Sequence, residues 1–313
     1  MKNKKTIALC IPAYNAAAYL PRLLRSAAAQ KIPFDEILVY DDCSNDTTAE
    51  VAREHGARVI RGERNIGCSA GKNVLLGVAS SEWIHFHDAD DVLLDGFTEE
   101  ALHWIDQSDP PDVVVMGYEY RDHETKELLS VGLFDDVLLQ VDPLKYSILN
   151  KIPNFGVYKK TALLKNKGFD ENKNILFNED VAFHTKLAAA ELRFRASKKI
   201  TSINYRYKKS MSADNQYNCL KAQIKVMEGI ASNTNGKYAK EVALKIWQSA
   251  TSLAVLDKWD DVNRALEAAH LIYQKQPEGI SKTFSLLVKV TNPKAAFWIR
   301  EQLIRIFKPE YRD

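Results

Sequence analysis

No stretch of this 313-residue sequence is both long enough and apolar enough to span a bilayer. The basic start, Met1–Lys5, is followed by an apolar run only from Ile7 to Ile11, which Pro12 and turn-forming residues end. That run is too short for the core of a signal peptide. Cysteine is scarce. Cys10, Cys43, Cys68 and Cys219 lie far apart without a C-x-x-C, which excludes a disulfide scaffold and fits a reducing, cytoplasmic setting. Charge imbalance is nearly absent: 43 basic and 41 acidic residues leave +2, so no global field calls for nucleic acid. Internal repeats and low-complexity tracts are missing too. What remains is an ordinary globular composition, long enough for one large domain or two.

The first 120 residues alternate β-rich runs with helical patterns. Thr6–Ile11 is a nearly continuous apolar run, as in a strand buried on both faces. Glu36–Tyr40, Ala57–Arg61, Glu82–His87 and Asp112–Tyr118 are the next strands. Between them lie helices over Ala16–Ala29 (capped by Asn15), Thr47–His55, Gly67–Ala79 and Phe97–Gln107. Repeated β-α-β units imply a mostly parallel central sheet with helices on both faces, an α/β fold that binds ligands beyond the carboxyl ends of its strands. Tyr120–Tyr207 mixes strand-like and helical pieces. From Ala213 onward the chain reads as helical, over Gln216–Ala231, Tyr238–Leu256 and Asp261–Gln274, with Pro293 opening a last helix.

The strand ends carry the chemistry. Asp41-Asp42 closes the second strand, and two adjacent carboxylates there can accept hydrogen bonds from a base or a ribose. Ser44–Thr47 has a simpler explanation in helix capping, with Thr47 and Glu50 spaced as a capping box. Asp88-Ala89-Asp90-Asp91 ends the fourth strand; carboxylates one residue apart can hold a hard divalent cation that keeps sites free for phosphate oxygens. His85 and His87 form no hydrolase metal motif, since Ala89 stands where that pattern needs an acid; packed or hydrogen-bonded strand residues are expected. In Asn65–Asn73, Gly67 and Gly71 allow close approach at a helix start, where an anion is favoured, and Lys72 adds charge. Glu179 and Asp180 open a helix over Val181–Ala190 and suit either its dipole or a general base.

These pieces, in this order, resemble the family 2 glycosyltransferases, whose catalytic domain has the GT-A nucleotide-diphospho-sugar fold. The likeness is carried by Ile11-Pro12-Ala13-Tyr14-Asn15, Asp41-Asp42-Cys43-Ser44-Asn45-Asp46, Asn65-Ile66-Gly67, Gly71-Lys72-Asn73, Asp88-Ala89-Asp90-Asp91, Gly168-Phe169-Asp170-Glu171 and Glu179-Asp180. It covers about residues 5–212. The resemblance implies a catalytic domain over 1–212, with its nucleotide-binding part in 1–120 and its acceptor side in 121–212, followed by a helical region over 213–313. It implies nucleotide-sugar contacts from Pro12, Ala13, Tyr14, Asn15, Asp41, Asp42, Asn65, Gly67, Lys72, Asp88 and Ala89. Asp88 and Asp90 would hold Mn²⁺ or Mg²⁺, and Asp180 would be the catalytic base. The implied reaction moves one sugar, with inversion, from a nucleotide diphosphate-sugar (UDP being the commonest) to a glycan or lipid-linked glycan acceptor in cell-surface polysaccharide or lipopolysaccharide synthesis.

Two departures stand out. Where many members place a histidine near the closing element, this sequence has Lys208 and Lys209 after Tyr205-Arg206-Tyr207, so Lys208, with Glu179, becomes a phosphate or acceptor contact. The Q-x-x-R-W signature of processive members is absent, which favours single addition. A sugar-phosphate nucleotidyltransferase would carry a Gly-rich basic loop after strand one, where Pro12–Asn15 stands here. An inactive nucleotide-sugar-binding subunit of an assembly complex remains the alternative. The last helix puts Ile299, Leu303, Ile306 and Phe307 on one face. Packing against the catalytic domain or within a homodimer, and peripheral contact with the inner face of the plasma membrane, are the two readings of that stripe.

Overall fold

The computed structural model describes residues 5–208, 215–308 and 312. The chain forms two compact units, one of Met1–Ser147, Ile152–Glu171 and Ala182–Ser210, the other of Ile148–Lys151, Asn172–Val181 and Met211–Asp313. Lys209 and the Ser210-Met211-Ser212 part of the closing element lie outside the described residues.

The first unit is built on a nine-stranded sheet. Its first four strands are β1 (Ile7–Ala13), β2 (Glu36–Asp41), β3 (Arg58–Arg61) and β4 (Trp83–Phe86). They are followed by β5 (Val92–Leu93), β6 (Val113–Asp122), β7 (Leu128–Gly132), β8 (Gly156–Lys159) and β9 (Phe194–Arg206). The order is β3-β2-β1-β4-β8-β6-β9-β5, with β7 on β6. β1 to β4, β6 and β9 run one way; β5, β7 and β8 run against them. The sheet is therefore mostly parallel, as expected, but β8 enters antiparallel between β4 and β6.

The helices of this region are α1 (Leu20–Ala28), α2 (Thr48–Glu54), α3 (Cys68–Val78) and α4 (Phe97–Ile105), then α5 (Asp136–Val141), α6 (Pro143–Leu149), α7 (Lys160–Lys165) and α8 (Glu179–Ala189). Period-two alternation assigns the sheet's two faces. Ile7, Leu9 and Ile11 join Leu20, Leu24, Phe97 and Ala101 in one core. On the other face Phe86 meets Phe169 and Phe183 edge to face, and those two rings stack 3.8 Å apart. β1 is accordingly buried on both sides.

Three local expectations are corrected. β1 does not stop at Pro12 but continues to Ala13. The Ile7 and Ala13 carbonyls accept from the β2 side and that of Cys10 from His87, so the missing N–H of Pro12 faces the β4 side, beyond that strand's last pair. Asn15 caps no helix. It adopts φ +49°, its side chain accepts from Asn45 N at 2.9 Å, and α1 waits until Leu20, with a proline in its first turn. Thr47 likewise makes no side-chain cap; Asp46 Oδ1 accepts from Thr48 N at 3.0 Å instead.

The second unit is helical: α9 (Gln216–Asn233), α10 (Ala239–Val255), α11 (Trp259–Ile272), α12 (Lys282–Val290) and α13 (Pro293–Phe307). α12 was not expected from the sequence. In α13, capped by Asn292 on Ala295 N at 2.9 Å, the buried residues are Ala296, Phe297 and Glu301. Leu303, Ile306 and Phe307 face solvent, because Phe297 fits against Trp247 and Phe284 while Glu301 binds Arg305 and Arg312. No helix among the described residues is long and apolar enough to cross a membrane.

Candidate active site at the carboxyl ends of the first strands

Parallel pairing aligns the ends of β1, β2 and β4, with β1 in the middle. The loops after β1 and β2 are zipped together: Asn15 N donates to Ser44 Oγ, Ala16 N to Thr48 Oγ1 and Ala17 N to Asp46 Oδ2, at 2.8–3.2 Å. This leaves Tyr14 exposed as an aromatic surface at the end of β1, while Ala13 is buried.

Asp41 and Asp42 are both buried. Asp42 takes the N–H groups of Ile66 and Gly67 at 2.7 and 2.8 Å, so its carboxylate shapes the Asn65–Gly67 loop, in which Asn65 is exposed and Gly67 holds φ +89°. Asp41 Oδ1 accepts from Ser44 N at 3.0 Å; its Oδ2 lies 3.4 Å from Arg61 Nε, an ion-pair contact without a hydrogen bond. From Gly67, α3 runs back over the sheet. A Cβ on Gly71 would fall 2.8 Å from the Tyr40 ring, so glycine permits this approach. One residue on, Lys72 is buried and its ammonium lies 3.3 Å from Asp88.

The turn after β4 holds Asp88, Ala89, Asp90 and Asp91. Ala89 is buried and Asp88 is half exposed. Asp91 is locked in, accepting from Asn204 Nδ2 at 2.7 Å and Tyr205 N at 2.9 Å. Burial, then the Asp90 and Asp88 charges, push its carboxyl well above the ordinary range. Arg22 of α1 and the Tyr207 hydroxyl both donate to the Asp90 carbonyl, and Arg22 also donates to Tyr207 at 2.8 Å. The Tyr205 ring lies under the Arg22 guanidinium at 4.3 Å. Sequence reasoning passed over Arg22 because nothing marks it within an Ala- and Leu-rich helix. Lys208, by contrast, is exposed and paired with Glu124 at 2.5 Å.

Beneath the turn, His85 and His87 are buried and hydrogen-bonded, as expected of structural residues. His85 Nδ1 lies 2.7 Å from the Gly156 carbonyl and its Nε2 lies 3.0 Å from His87 Nδ1. A carbonyl can only accept, which makes His85 Nδ1 the donor there and leaves His85 Nε2 to accept from His87. Glu179 and Asp180 open α8 and group with the second unit. Asn178 just before them donates to the Cys219 carbonyl at 2.6 Å, and Glu179 Oε2 is buried without a hydrogen-bond partner among the described residues.

No group of three or more His, Cys, Asp and Glu side chains among the described residues is arranged to hold a metal. The Asp88–Asp90 pair nonetheless has the donor chemistry for a hard divalent cation that completes its shell with phosphate oxygens and water. Burial, with the Asp88 charge second, pushes the Asp90 carboxyl up to about 6. A cation between the two would relieve that repulsion.

The sequence model for glycosyl transferase family 2 matches residues 8–167. The chain belongs to that family. It is 25% identical over 225 residues to an uncharacterized glycosyltransferase of Haemophilus influenzae, covering 69% of this chain and 74% of that protein. It is 29% identical over 186 residues to the poly(ribitol-phosphate) β-N-acetylglucosaminyltransferase TarS of Staphylococcus aureus, covering 56% of this chain and only 31% of TarS. The crystal structure of S. aureus TarS 1–349 with UDP-GlcNAc superposes with a TM-score of 0.72 at 21% identity, over 96% of this chain and 91% of that one. The mannosyltransferase PcManGT of Pyrobaculum calidifontis, solved with GDP-Man and Mn²⁺, gives 0.61 at 15% identity, over 99% of this chain and 84% of that one. The GT-A fold expected from the family 2 motifs, followed by a helical C-terminal region, is the fold found.

Proposed function

We propose that this family 2 chain transfers a single sugar from a nucleotide diphosphate-sugar, with UDP the leading nucleotide, to a hydroxyl of a glycan or lipid-linked glycan in cell-surface polysaccharide synthesis. The observation that carries the reading is the Asp88–Asp90 pair at the end of β4, with Lys72 against Asp88 and the Asp41–Asp42 loops two strands away, across β1. The UDP-GlcNAc bound by TarS supports the donor class, and the Mn²⁺ in PcManGT supports a divalent metal. In this reading the exposed Tyr14 ring stacks on the base. The loops that Asp41 and Asp42 brace enclose the nucleoside. Asp88 and Asp90 would hold Mn²⁺ or Mg²⁺, which when bound offsets the charge that builds on the departing diphosphate. Lys72 adds a fixed positive charge beside the same oxygens. Asp180 takes the proton from the acceptor hydroxyl as it attacks the anomeric carbon from the face opposite the leaving group, so that one displacement inverts that carbon. A cytoplasmic position at the inner face of the membrane is the setting such an acceptor requires.

The test is thermal stability with UDP, GDP, dTDP and CMP, each with and without Mn²⁺. A ligand at about 100 times its dissociation constant adds about 2.7 kcal/mol. A metal-requiring shift with one nucleotide, lost in Asp90→Ala, supports the reading. No shift with any nucleotide moves the chain toward a binding or structural role.

A further inference from the structure

The second unit presents an outward face that sugar transfer does not use. α12 and α13 are anchored by a trio of rings, Phe284, Phe297 and Trp247 of α10, whose centroids lie 5.1–6.4 Å apart. At about 100° per residue, Leu286 and Val290 project from the side of α12 opposite Phe284. On α13, Leu303 and Ile306 lie opposite Phe297, flanked by Trp298 and Phe307. All six of these apolar side chains are 47–73% exposed. Isolated exposed apolar residues need no explanation, but six on two adjoining helices mark an interaction surface.

We propose that this α12–α13 face docks on an anionic lipid surface. Charge selects that occupant. Residues 280–308 hold six lysines and arginines against a single carboxylate, Glu301; Lys294 and Arg305 are paired with Glu267 and Asp257, which leaves Lys282, Lys289, Arg300 and Lys308 in excess. Glu301 is fully buried and accepts from Arg305 at 3.0 Å and from Arg312 at 2.7 Å, so it offers no negative charge to the surface. Lys282 and Lys289 project on the same side of α12 as Leu286 and have no hydrogen-bond or ion-pair partner among the described residues. An exposed apolar face with lysines on it and an interfacial tryptophan suits a headgroup layer. A second copy of the same face would set like charges together. A further apolar patch, Leu133, Val137, Leu138 and Val141, lies among Asp135, Asp136 and Asp142 and has the wrong sign for such a surface. The inference deepens the membrane-side location in the proposed function, and it does not depend on the donor chemistry.

The whole protein should cosediment with vesicles of equal parts phosphatidylcholine and phosphatidylglycerol, and not with phosphatidylcholine alone. Lys282→Gln with Lys289→Gln should lower partitioning about 25-fold, at about fivefold per lysine. Ile306→Gln with Phe307→Gln should lower it at least as much; all four positions are exposed, so melting should stay unchanged. Equal binding to both vesicle types, no binding at low salt, or wild-type binding by both variants overturns the proposal. So does a dimer in light scattering that Ile306→Gln with Phe307→Gln converts to monomer. The nucleotide-dependent melting shift is read on the same samples. A shift without vesicle binding sinks only the docking surface; vesicle binding without a shift sinks only the donor assignment.

Discussion

The ammonium of Lys72, on the buried face of α3, sits 3.3 Å from the Asp88 carboxylate at the end of β4. The pair joins an almost wholly enclosed cation to a half-exposed anion. Asp88 therefore keeps a route to solvent and to a ligand, while the lysine is held inside, with the Phe169 ring 5.2 Å away. Lys72→Met keeps the volume and removes the charge. Because Asp88 can still be hydrated, the cost in urea unfolding should be small, about 1 kcal/mol or less. Binding of a nucleoside diphosphate should weaken by at least tenfold in calorimetry. A large loss of stability with intact nucleotide binding would make Lys72 a folding residue only.

Asp90 predicts the opposite balance. It is partly buried beside two other carboxylates, so in metal-free protein its charge is unfavourable. Asp90→Asn should raise the unfolding free energy in EDTA by about 1 kcal/mol, a figure discounted for partial exposure. The same variant should lose the extra stabilisation that Mn²⁺ gives with nucleotide. Destabilisation in EDTA would show that the carboxylate has a structural role the present contacts do not explain.

How much of this was legible follows the range of the forces involved. The order of β1 to β4, the helices between them and the acidic strand ends came from local pattern, since burial on both faces imposes apolar runs on parallel strands. The antiparallel entry of β8 was not legible, because Gly156–Lys159 is four residues long and its pairing with Trp83 and Ile84 is wholly non-local. Asn15 looked like a cap by residue type, yet its side chain is taken by Asn45 N across the loop, thirty positions away. The stripe on α13 stayed open between packing and a membrane surface for a related reason. The Ile299–Phe307 stripe has helical period, but Phe297 packs on Trp247 of α10 and Glu301 is bound by Arg312, beyond the helix end. Arg22 shows the limit for the site: its contacts with the Asp90 carbonyl and Tyr207 bridge distant segments and leave no local trace.

The buried histidines set a pH dependence. His87 is held down to about 3, by burial and then by Lys72; His85 is held well below the usual value, by burial and then by His87. Both are neutral when folded, so the unfolded chain binds the extra protons once pH falls below about 6.5. Their stabilising contribution is complete above that value and declines as pH drops toward the folded-state values. Between pH 7 and 5.5 each should cost about 1 kcal/mol in chemical denaturation. His87→Leu should roughly halve that slope. An unchanged slope would place the acid sensitivity elsewhere.

Asp180 carries the prediction most specific to catalysis. As the proposed base it should lose about 10²–10⁴ in turnover when changed to asparagine, the range for general-base removal. Initial rates at saturating donor measure this, with circular dichroism confirming the fold. Near-normal turnover would return Asp180 to the helix-dipole role that its place in the first turn of α8 also allows.

Two glycines of α3 separate close approach from helix propensity. A Cβ on Gly71 would fall 2.8 Å from Tyr40 Cδ1, and that ring is buried in the sheet rather than free to swing. Alanine there gains about 1 kcal/mol in helix propensity but forces overpacking worth about 1–3 kcal/mol, so the net effect should be a loss. The displacement would also pull Lys72 from Asp88 and reduce the nucleotide-dependent melting shift. Gly77 lies six residues, about 1.7 turns, further along the same helix, with nothing within 4 Å of its added Cβ. Gly77→Ala should therefore gain about 0.5–1 kcal/mol and leave the nucleotide shift alone. Thermal melts of the two variants with and without UDP and Mn²⁺ decide it. If both alanines stabilise, α3 does not press on Tyr40 in solution, and the position of Lys72 against Asp88 loses its mechanical support.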